Sequence, residues 1–274
     1  MAWRIIFLGL AFFLFENSVA LALPCCGLEA PRILASLQDL RQFDFSLTTS
    51  FEEVFAKYDS KGRVLSSEGP SDLVFQLTSL ARITPDFEVF GRLPFIFRKT
   101  DPASLNGAQS NLGNPQLGLR HILYRNVYLE SPLPSISVVT ALKIPSGLSE
   151  LTLGDGQASG WEPYLGLGVQ KEFVTWMGNI DFGLARRQRE YLFKAAESVS
   201  YAVLAPLSLG VGAQQVLSLN RSNRSLGVSS FANWPLDQFT IVGAQVDWSL
   251  PWEELGNQLP LTRTASLSLR YSFY

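Results

Sequence analysis

The most constraining feature of this sequence is its last stretch, Thr264 to Tyr274, which reads TASLSLRYSFY. Apolar residues alternate strictly with serine and arginine as far as Phe273, which is the period of a β-strand with two different faces. One face must lie against apolar material and the other against polar material. An edge strand of an ordinary soluble sheet would satisfy this pattern, so the rest of the chain has to decide what the strand packs against.

The chain is short of charge. It has 274 residues, of which 47% are hydrophobic and 17% are charged, whereas soluble domains carry about 25% charged residues. No internal apolar run is long enough for a spanning helix. Low charge without such helices is typical of a membrane β-barrel, whose apolar residues are dispersed by alternation. The formal net charge of −2 offers no basic patch for nucleic acid.

The terminal strand resembles the C-terminal strand of bacterial outer-membrane β-barrels. In that class the terminal aromatic strand is the recognition signal for the insertion machinery, so the resemblance implies an assembly signal in Leu269, Tyr271, Phe273 and Tyr274. The usual pattern puts the last residue on the apolar face, whereas Tyr274 falls on the face of the serines.

The N-terminus predicts export. Residues 1–22 have the organisation of a secretory signal peptide, with Arg4, an apolar core from Ile5 to Phe15, and a small-x-small pattern at Ala20 and Ala22. Residues 23–40 form a leader that contains the adjacent Cys25 and Cys26, candidates for a disulfide or a redox role. The leader also contains a short amphipathic helix from Pro31 to Leu40.

From residue 41 to the end the pattern has period two, with long loops alternating with short turns. We count eleven segments of this kind, and single-chain bacterial barrels have an even number of strands. The sequence therefore predicts an all-β fold, an antiparallel up-and-down transmembrane β-barrel of about twelve strands with ten as the fallback. Arg186 to Pro235 is the region in which a strand is missed or merged.

Three short stretches carry a more specific resemblance. They are Gly113–Arg120 (GNPQLGLR), Ala141–Gly147 (ALKIPSG) and the glycine-rich stretch from Gly154 to Gly168. Together they resemble the barrel proteins named for the meta-pathway of phenol degradation. The resemblance implies an outer-membrane barrel that moves small hydrophobic or aromatic solutes.

No arrangement of residues indicates catalysis or a cofactor. His121 is the only histidine, and the residue two positions further on the same face is Leu123 rather than a nucleophile. One histidine and a leader cysteine pair also give no metal-ligand spacing. We therefore interpret His121 as a packed or interfacial residue, and the protein as a non-enzyme without metal or cofactor.

If the apolar face meets lipid, the polar face lines the lumen. Charges that face hydrocarbon would cost about 2–4 kcal/mol each near the midplane, which decides the side on which they lie. We expect Arg92 and Arg120 to pair with carboxylates such as Glu88. The candidate lumen residues are Asp44, Glu52, Arg82, Glu88, Arg92, Arg120, Lys143, Glu162, Glu172, Asp181, Asp247 and Arg270.

Three functions remain open at this point. The first is a passive channel or transporter for small solutes, located after export in the bacterial outer membrane, with lipid and the insertion machinery as partners. The second is a structural or surface-interaction barrel with a blocked lumen. The third is a secreted, soluble all-β binding protein. The sequence leaves the oligomeric state open.

Overall fold

The computed structural model describes residues 43–58, 64–66, 71–99, 108–126, 131–146, 161–173, 175–187, 190–204, 207–219, 224–250 and 261–273. All regular structure in these ranges is β-strand. The strands are β1 Phe43–Tyr58, β2 Val64–Ser66, β3 Ser71–Thr84, β4 Phe87–Lys99, β5 Ala108–Leu112, β6 Gln116–Tyr124, β7 Ser135–Lys143, β8 Glu162–Glu172, β9 Trp176–Arg187, β10 Glu190–Leu204, β11 Leu207–Ser218, β12 Arg224–Pro235, β13 Thr240–Ser249 and β14 Leu261–Phe273.

The strands form one closed barrel. Each long strand pairs antiparallel with its neighbour in the chain, and β14 pairs with β1 along almost its whole length, from Phe43↔Phe273 to Ala56↔Leu261. The short β2 and β5 only extend β1 and β4 at one rim, which leaves twelve strands in the wall. Because the first and last wall strands are hydrogen-bonded, the wall has no open edge.

Alternation gives the wall two faces of opposite character. The side chains of Leu47, Leu119 and Leu267 on one face are exposed, whereas polar side chains on the other face of the same strands, such as Asp44, Gln116 and Thr264, are buried. In a soluble protein the apolar side chains are buried and the polar side chains are exposed, so the arrangement in this barrel is inverted. The polar face therefore lies inside the barrel, and the apolar face forms the outer surface.

The prediction of a closed antiparallel barrel of twelve strands is confirmed. The missing strand is β12, which lies within Arg186 to Pro235, the region that the sequence analysis named. Its period-two signal is weak because Ser230 and Ala232 occupy the outer face while Phe231 is buried on the inner one. Gly210 on β11 leaves room for this phenyl ring, since a Cβ there would lie 2.2 Å from it.

The signal peptide, the leader with Cys25 and Cys26, and the helix at Pro31 to Leu40 all lie outside the described residues. They remain predictions from sequence, as does the role of Tyr274. Within the described part of the chain, no helix is long and apolar enough to cross a membrane.

Candidate functional site

The inner face of the barrel is the candidate site, because it concentrates buried charge. Asp44, Glu52, Glu88, Arg92 and Arg270 each expose 5% or less of their surface. Buried charges are tolerated when they are paired and hydrogen-bonded. The pairing of these side chains therefore decides how the interior is filled.

One ion cluster surrounds Glu88 on β4. Arg82 of β3 reaches Glu88 Oε1 at 2.8 Å, and Arg120 of β6 reaches Oε2 at 3.1 Å. Both arginines come from residues directly opposite Glu88 in the strand register. The expected Arg120–Glu88 pair is present. Arg92 lies four residues further along β4, opposite Thr78 and Gln116.

A second cluster surrounds Glu162 on β8. Arg187 of β9 donates to Glu162 Oε2 at 2.7 Å, and Lys194 of β10 donates to Oε1 at 2.5 Å. Lys143 of β7 is directly opposite Glu162 in the register. Three cations therefore surround one buried carboxylate, and residues from four neighbouring strands are tied together across the inner wall.

Two further ion pairs link neighbouring strands. Arg98 of β4 binds Asp72 of β3 through two parallel hydrogen bonds of 2.7 Å each, the bidentate geometry that makes arginine–carboxylate pairs strong. Arg270 of β14 binds Asp44 of β1 at 2.9 Å. The second pair lies at the seam where the barrel closes, so it stabilises the last strand pairing.

The residues that sequence analysis placed on the polar face all lie on the inner face. Arg82, Arg120, Lys143, Glu172 and Asp181 are partly buried. Asp247 is buried and accepts a hydrogen bond from Gln245 on its own strand. The buried members of the set are Asp44, Glu52, Glu88, Arg92, Glu162, Asp247 and Arg270.

Among the side chains that the structure describes, sequence analysis missed four charged residues of the inner face, Asp72, Arg98, Arg187 and Lys194. Asp72 and Arg98 each lie two residues beyond an inner-face position of its strand, at one end of the alternating pattern. Lys194 lies four residues before Ser198 and Arg187 four residues after Gly183, on the same faces. Extending the alternation by two residues would have identified Asp72 and Arg98, and extending it by four would have identified Arg187 and Lys194.

An apolar strip interrupts the charged inner face. Directly paired residues on seven successive strands form it: Leu80, Phe90, Gly118, Ala141, Tyr164, Ala185 and Leu192. Leu80, Phe90 and Ala141 pack with Val139 and Tyr164 into a single cluster. The Glu88 cluster lies on one side of this apolar strip, and Glu162 lies on the other.

The strip depends on a close approach between Phe90 and Gly118. A Cβ added to Gly118 would lie 2.2 Å from the phenyl ring of Phe90, which is far inside van der Waals contact. The absence of a side chain therefore lets the ring lie against the backbone of β6. This contact explains a glycine within the GNPQLGLR motif.

The residues of the proposed assembly signal have different environments. Leu269 and Tyr271 are exposed on the outer face. Phe273 is partly buried and stacks on Phe43 and Phe45 of β1, with ring centroids 5.3 and 5.9 Å apart. Phe273 therefore contributes aromatic packing across the closure seam.

His121 lies on the outer side of β6, where its ring stacks on Phe87 at a centroid distance of 4.2 Å. This is a packing contact rather than an arrangement with a nucleophile. Among the described residues, no group of three or more His, Cys, Asp or Glu could hold a metal ion.

Comparisons with known proteins place this geometry among outer-membrane barrels. No protein-family model and no curated protein matches the sequence. An outer membrane channel from Pseudomonas putida F1 has a TM-score of 0.68 at 15% identity, covering 90% of this chain and 100% of its own. The NanC porin has a TM-score of 0.55 at 6% identity, covering 83% of this chain and 98% of its own. The KdgM porin, solved with oligogalacturonate, has a TM-score of 0.53 at 9% identity, covering 84% and 99%. The fold of this chain is that of outer-membrane channels and porins.

Proposed function

We propose that this protein is a narrow passive channel for small solutes in the bacterial outer membrane. One observation carries the proposal: a closed barrel combines an apolar outer surface with a charged inner face. Only a wall without unsatisfied edges can stand in hydrocarbon. Charges on the inside give a small polar solute the interactions that replace its water.

The apolar strip supports small aromatic or hydrophobic solutes as the transported class. Phe90 and Tyr164 place aromatic side chains between two ion clusters. A planar ring can pack against such side chains while its polar group stays near a charge. The lumen residues named from sequence would then act as polar contacts along the path.

Export and insertion are part of the proposal. The predicted signal peptide at residues 1–22 would direct the chain out of the cytoplasm. The aromatic end of β14 would be read by the barrel-insertion machinery. The leader of residues 23–40, including Cys25 and Cys26, would follow the cleavage site in the exported protein. We assign no catalytic residue.

A structural barrel with a blocked lumen is the second candidate. The observation that favours it is the burial of the inner charges, because Glu52, Glu88 and Asp72 are each 2% exposed. At twelve strands a barrel lies between those filled by side chains and the open porins. Conductance separates the two candidates.

The test is to refold the barrel, verify by heat-modifiability that it is folded, and record currents in planar bilayers. We expect small, stable conductance steps. Liposome uptake of phenylalanine and serine, neither of which crosses lipid readily, then tests the solute class. In the wild type we expect phenylalanine to enter as fast as the smaller serine. In Tyr164→Ser we expect phenylalanine to enter more slowly than serine. Leu165→Ala, on the outer face of the same strand, is the matched control.

Folded protein that gives no current above that of the empty bilayer would exclude a channel and leave the blocked barrel. Conductance with ordinary size-dependent uptake, unchanged in Tyr164→Ser, would keep the channel and reject aromatic solutes.

A further inference from the structure

One carboxylate, that of Glu197, lies on the apolar outer face of the barrel wall. In β10 the buried Ala196 and Ser198 face inward, so Glu197 between them faces outward, in line with Val199 and Tyr201. In the strand register it is flanked by Ile180 of β9 and Ala213 of β11. A carboxyl group on the outer surface, with apolar residues as its direct partners on both neighbouring strands, has no role in the lumen.

Glu197 also lies deep within the apolar band. Tyr201 and Trp176, with rings 4.8 Å apart, mark one end of it, and Tyr191 with Arg186 over its ring marks the other. Each residue of a tilted strand advances about 2.5 Å across the membrane. Tyr201 and Tyr191 therefore lie about 10 and about 15 Å to either side of Glu197 in a band of about 25 Å.

The described neighbours do not satisfy this carboxyl group. None of the hydrogen bonds or ion pairs among the described residues involves Glu197. Lipid tails cannot donate a hydrogen bond, and a side chain of this length cannot extend about 10 Å to the interface. Ionisable residues at such depth mark functional contacts and find polar partners. The surface around Glu197 is therefore covered by something other than lipid alone.

The surroundings of Glu197 are self-complementary. Phe182 projects from β9 on one side, and the small Ala213 lies in β11 on the other. A two-fold axis along the membrane normal, passing beside Glu197, places β9 of one copy against β11 of the other. Phe182 of each copy then packs over Ala213 of the other, and the two Glu197 carboxyl groups meet at one depth. When both carboxyl groups are protonated, each can donate a hydrogen bond to the other and accept one from it.

The wall beyond β11 also allows close approach. A hollow of about 750 Å³ is lined by residues of the strands from β11 to β3, and its lining includes the small outer-face residues Ser230, Ala232, Ala244 and Ala265. Elsewhere the outer face carries mainly large side chains such as Leu119, Leu165 and Phe97. Small residues that let backbones approach are typical of membrane-embedded interfaces.

We propose that the outer surface centred on Glu197, with Phe182 and Ala213 on either side, is a membrane-embedded interface with a second copy of this chain. The proposal rests on the outer-membrane location given above but not on transport. In a two-fold contact the same surface is used by both copies. Glu197 is the residue at the axis.

Crosslinking in native membranes tests this. In a background with Cys25→Ser and Cys26→Ser, Glu197→Cys should form a disulfide-linked dimer on mild oxidation. Leu77→Cys is the control, because Leu77 is exposed on β3, six wall strands away. We expect at least a tenfold higher dimer yield for Glu197→Cys. Native mass spectrometry of the wild type in mild detergent should give a dimer mass, and Ala213→Trp should give a monomer.

Membrane fractionation and heat-modifiability are measured on every variant, so a barrel that fails to reach the membrane contradicts the proposed location and not the interface. Equal yields for the two cysteine variants in folded, membrane-inserted protein would overturn the interface. Crosslinking of Glu197→Cys to a different polypeptide would overturn the second copy as the partner. The wild-type mass remains informative even if a variant does not fold.

Discussion

The side-chain oxygen of Asn114 accepts two hydrogen bonds from Ser146, which lies 32 residues later in the chain: one from the backbone N–H at 3.0 Å and one from the hydroxyl at 3.2 Å. Asn114 precedes β6, and Ser146 follows β7. The first two sequence motifs that carried the family resemblance are thus joined at one rim of the barrel. Ile144 also donates to the carbonyl of Pro115 at 2.8 Å.

Replacing Asn114 by Ala should lower the free energy of unfolding by about 1–3 kcal/mol, because the donors of Ser146 lose a buried acceptor. Ser146→Ala removes only the hydroxyl donor and should cost less. Urea titration of the refolded barrel, followed by tryptophan fluorescence, measures both. Equal losses in the two variants would mean that the backbone hydrogen bond contributes nothing.

Gly118→Ala should destabilise the barrel by about 1–3 kcal/mol, the usual cost of overpacking, because its methyl group would overlap the ring of Phe90. The double variant with Phe90→Leu should recover part of the loss. Gly91→Ala is the matched control, since a Cβ there meets Ser79 Oγ at an ordinary 3.4 Å. The same urea titration applies, and an additive double variant would contradict the contact.

Glu162→Gln should be strongly destabilising, by about 3–5 kcal/mol, because it leaves the buried Lys194 ammonium and the Arg187 guanidinium without their carboxylate. The double variant with Lys194→Met should lose less, since one cation is removed together with the anion. A double-mutant cycle on unfolding free energies measures the coupling. Independent, additive effects would show that the ion pair does not contribute.

Phe273→Ser together with Tyr271→Ser should reduce the fraction of folded, heat-modifiable protein in the membrane. The stacking of Phe273 on Phe43 and Phe45 is lost, and the terminal strand loses two aromatic residues of the proposed assembly signal. Comparison of in-vivo assembly with refolding in detergent separates the two causes. A defect seen only in vivo indicates recognition by the insertion machinery, and wild-type levels in both would contradict the assignment.

The turn between β12 and β13 should respond to acid. The backbone N–H of Phe239, and after it the donors of Thr240, hold the pKa of Asp237 below its usual range. The charged form of Asp237 is therefore favoured by folding. Its contribution to stability is fully present above the pKa of the unfolded state and is lost as the pH falls through the pKa of the folded state. Asp237→Asn keeps an acceptor but should remove this part of the pH dependence of unfolding.

Much of the barrel could be predicted because lipid-facing and inner positions alternate in the sequence itself. The alternation failed at β12, where Ser230 faces outward and Phe231 faces inward, since Gly210 on the preceding strand, β11, accommodates the ring. The ion clusters could be predicted from the sequence only in part. Arg120 and Glu88 were recognisable from their faces, but the register that brings Arg187 and Lys194 to Glu162 depends on strand pairing across β8 to β10.

The apolar strip has a consequence for the geometry of passage. Its residues are direct partners from strand to strand, yet the row runs from Leu80, close to the end of β3 at one rim, to Leu192, near the start of β10 at the opposite rim. The strip therefore winds around the axis as a spiral ramp. Any plane perpendicular to the axis cuts it in one angular sector only. In the proposed channel, a ring that follows the strip would turn as it descends, while an ion at the same depth would pass along the other side.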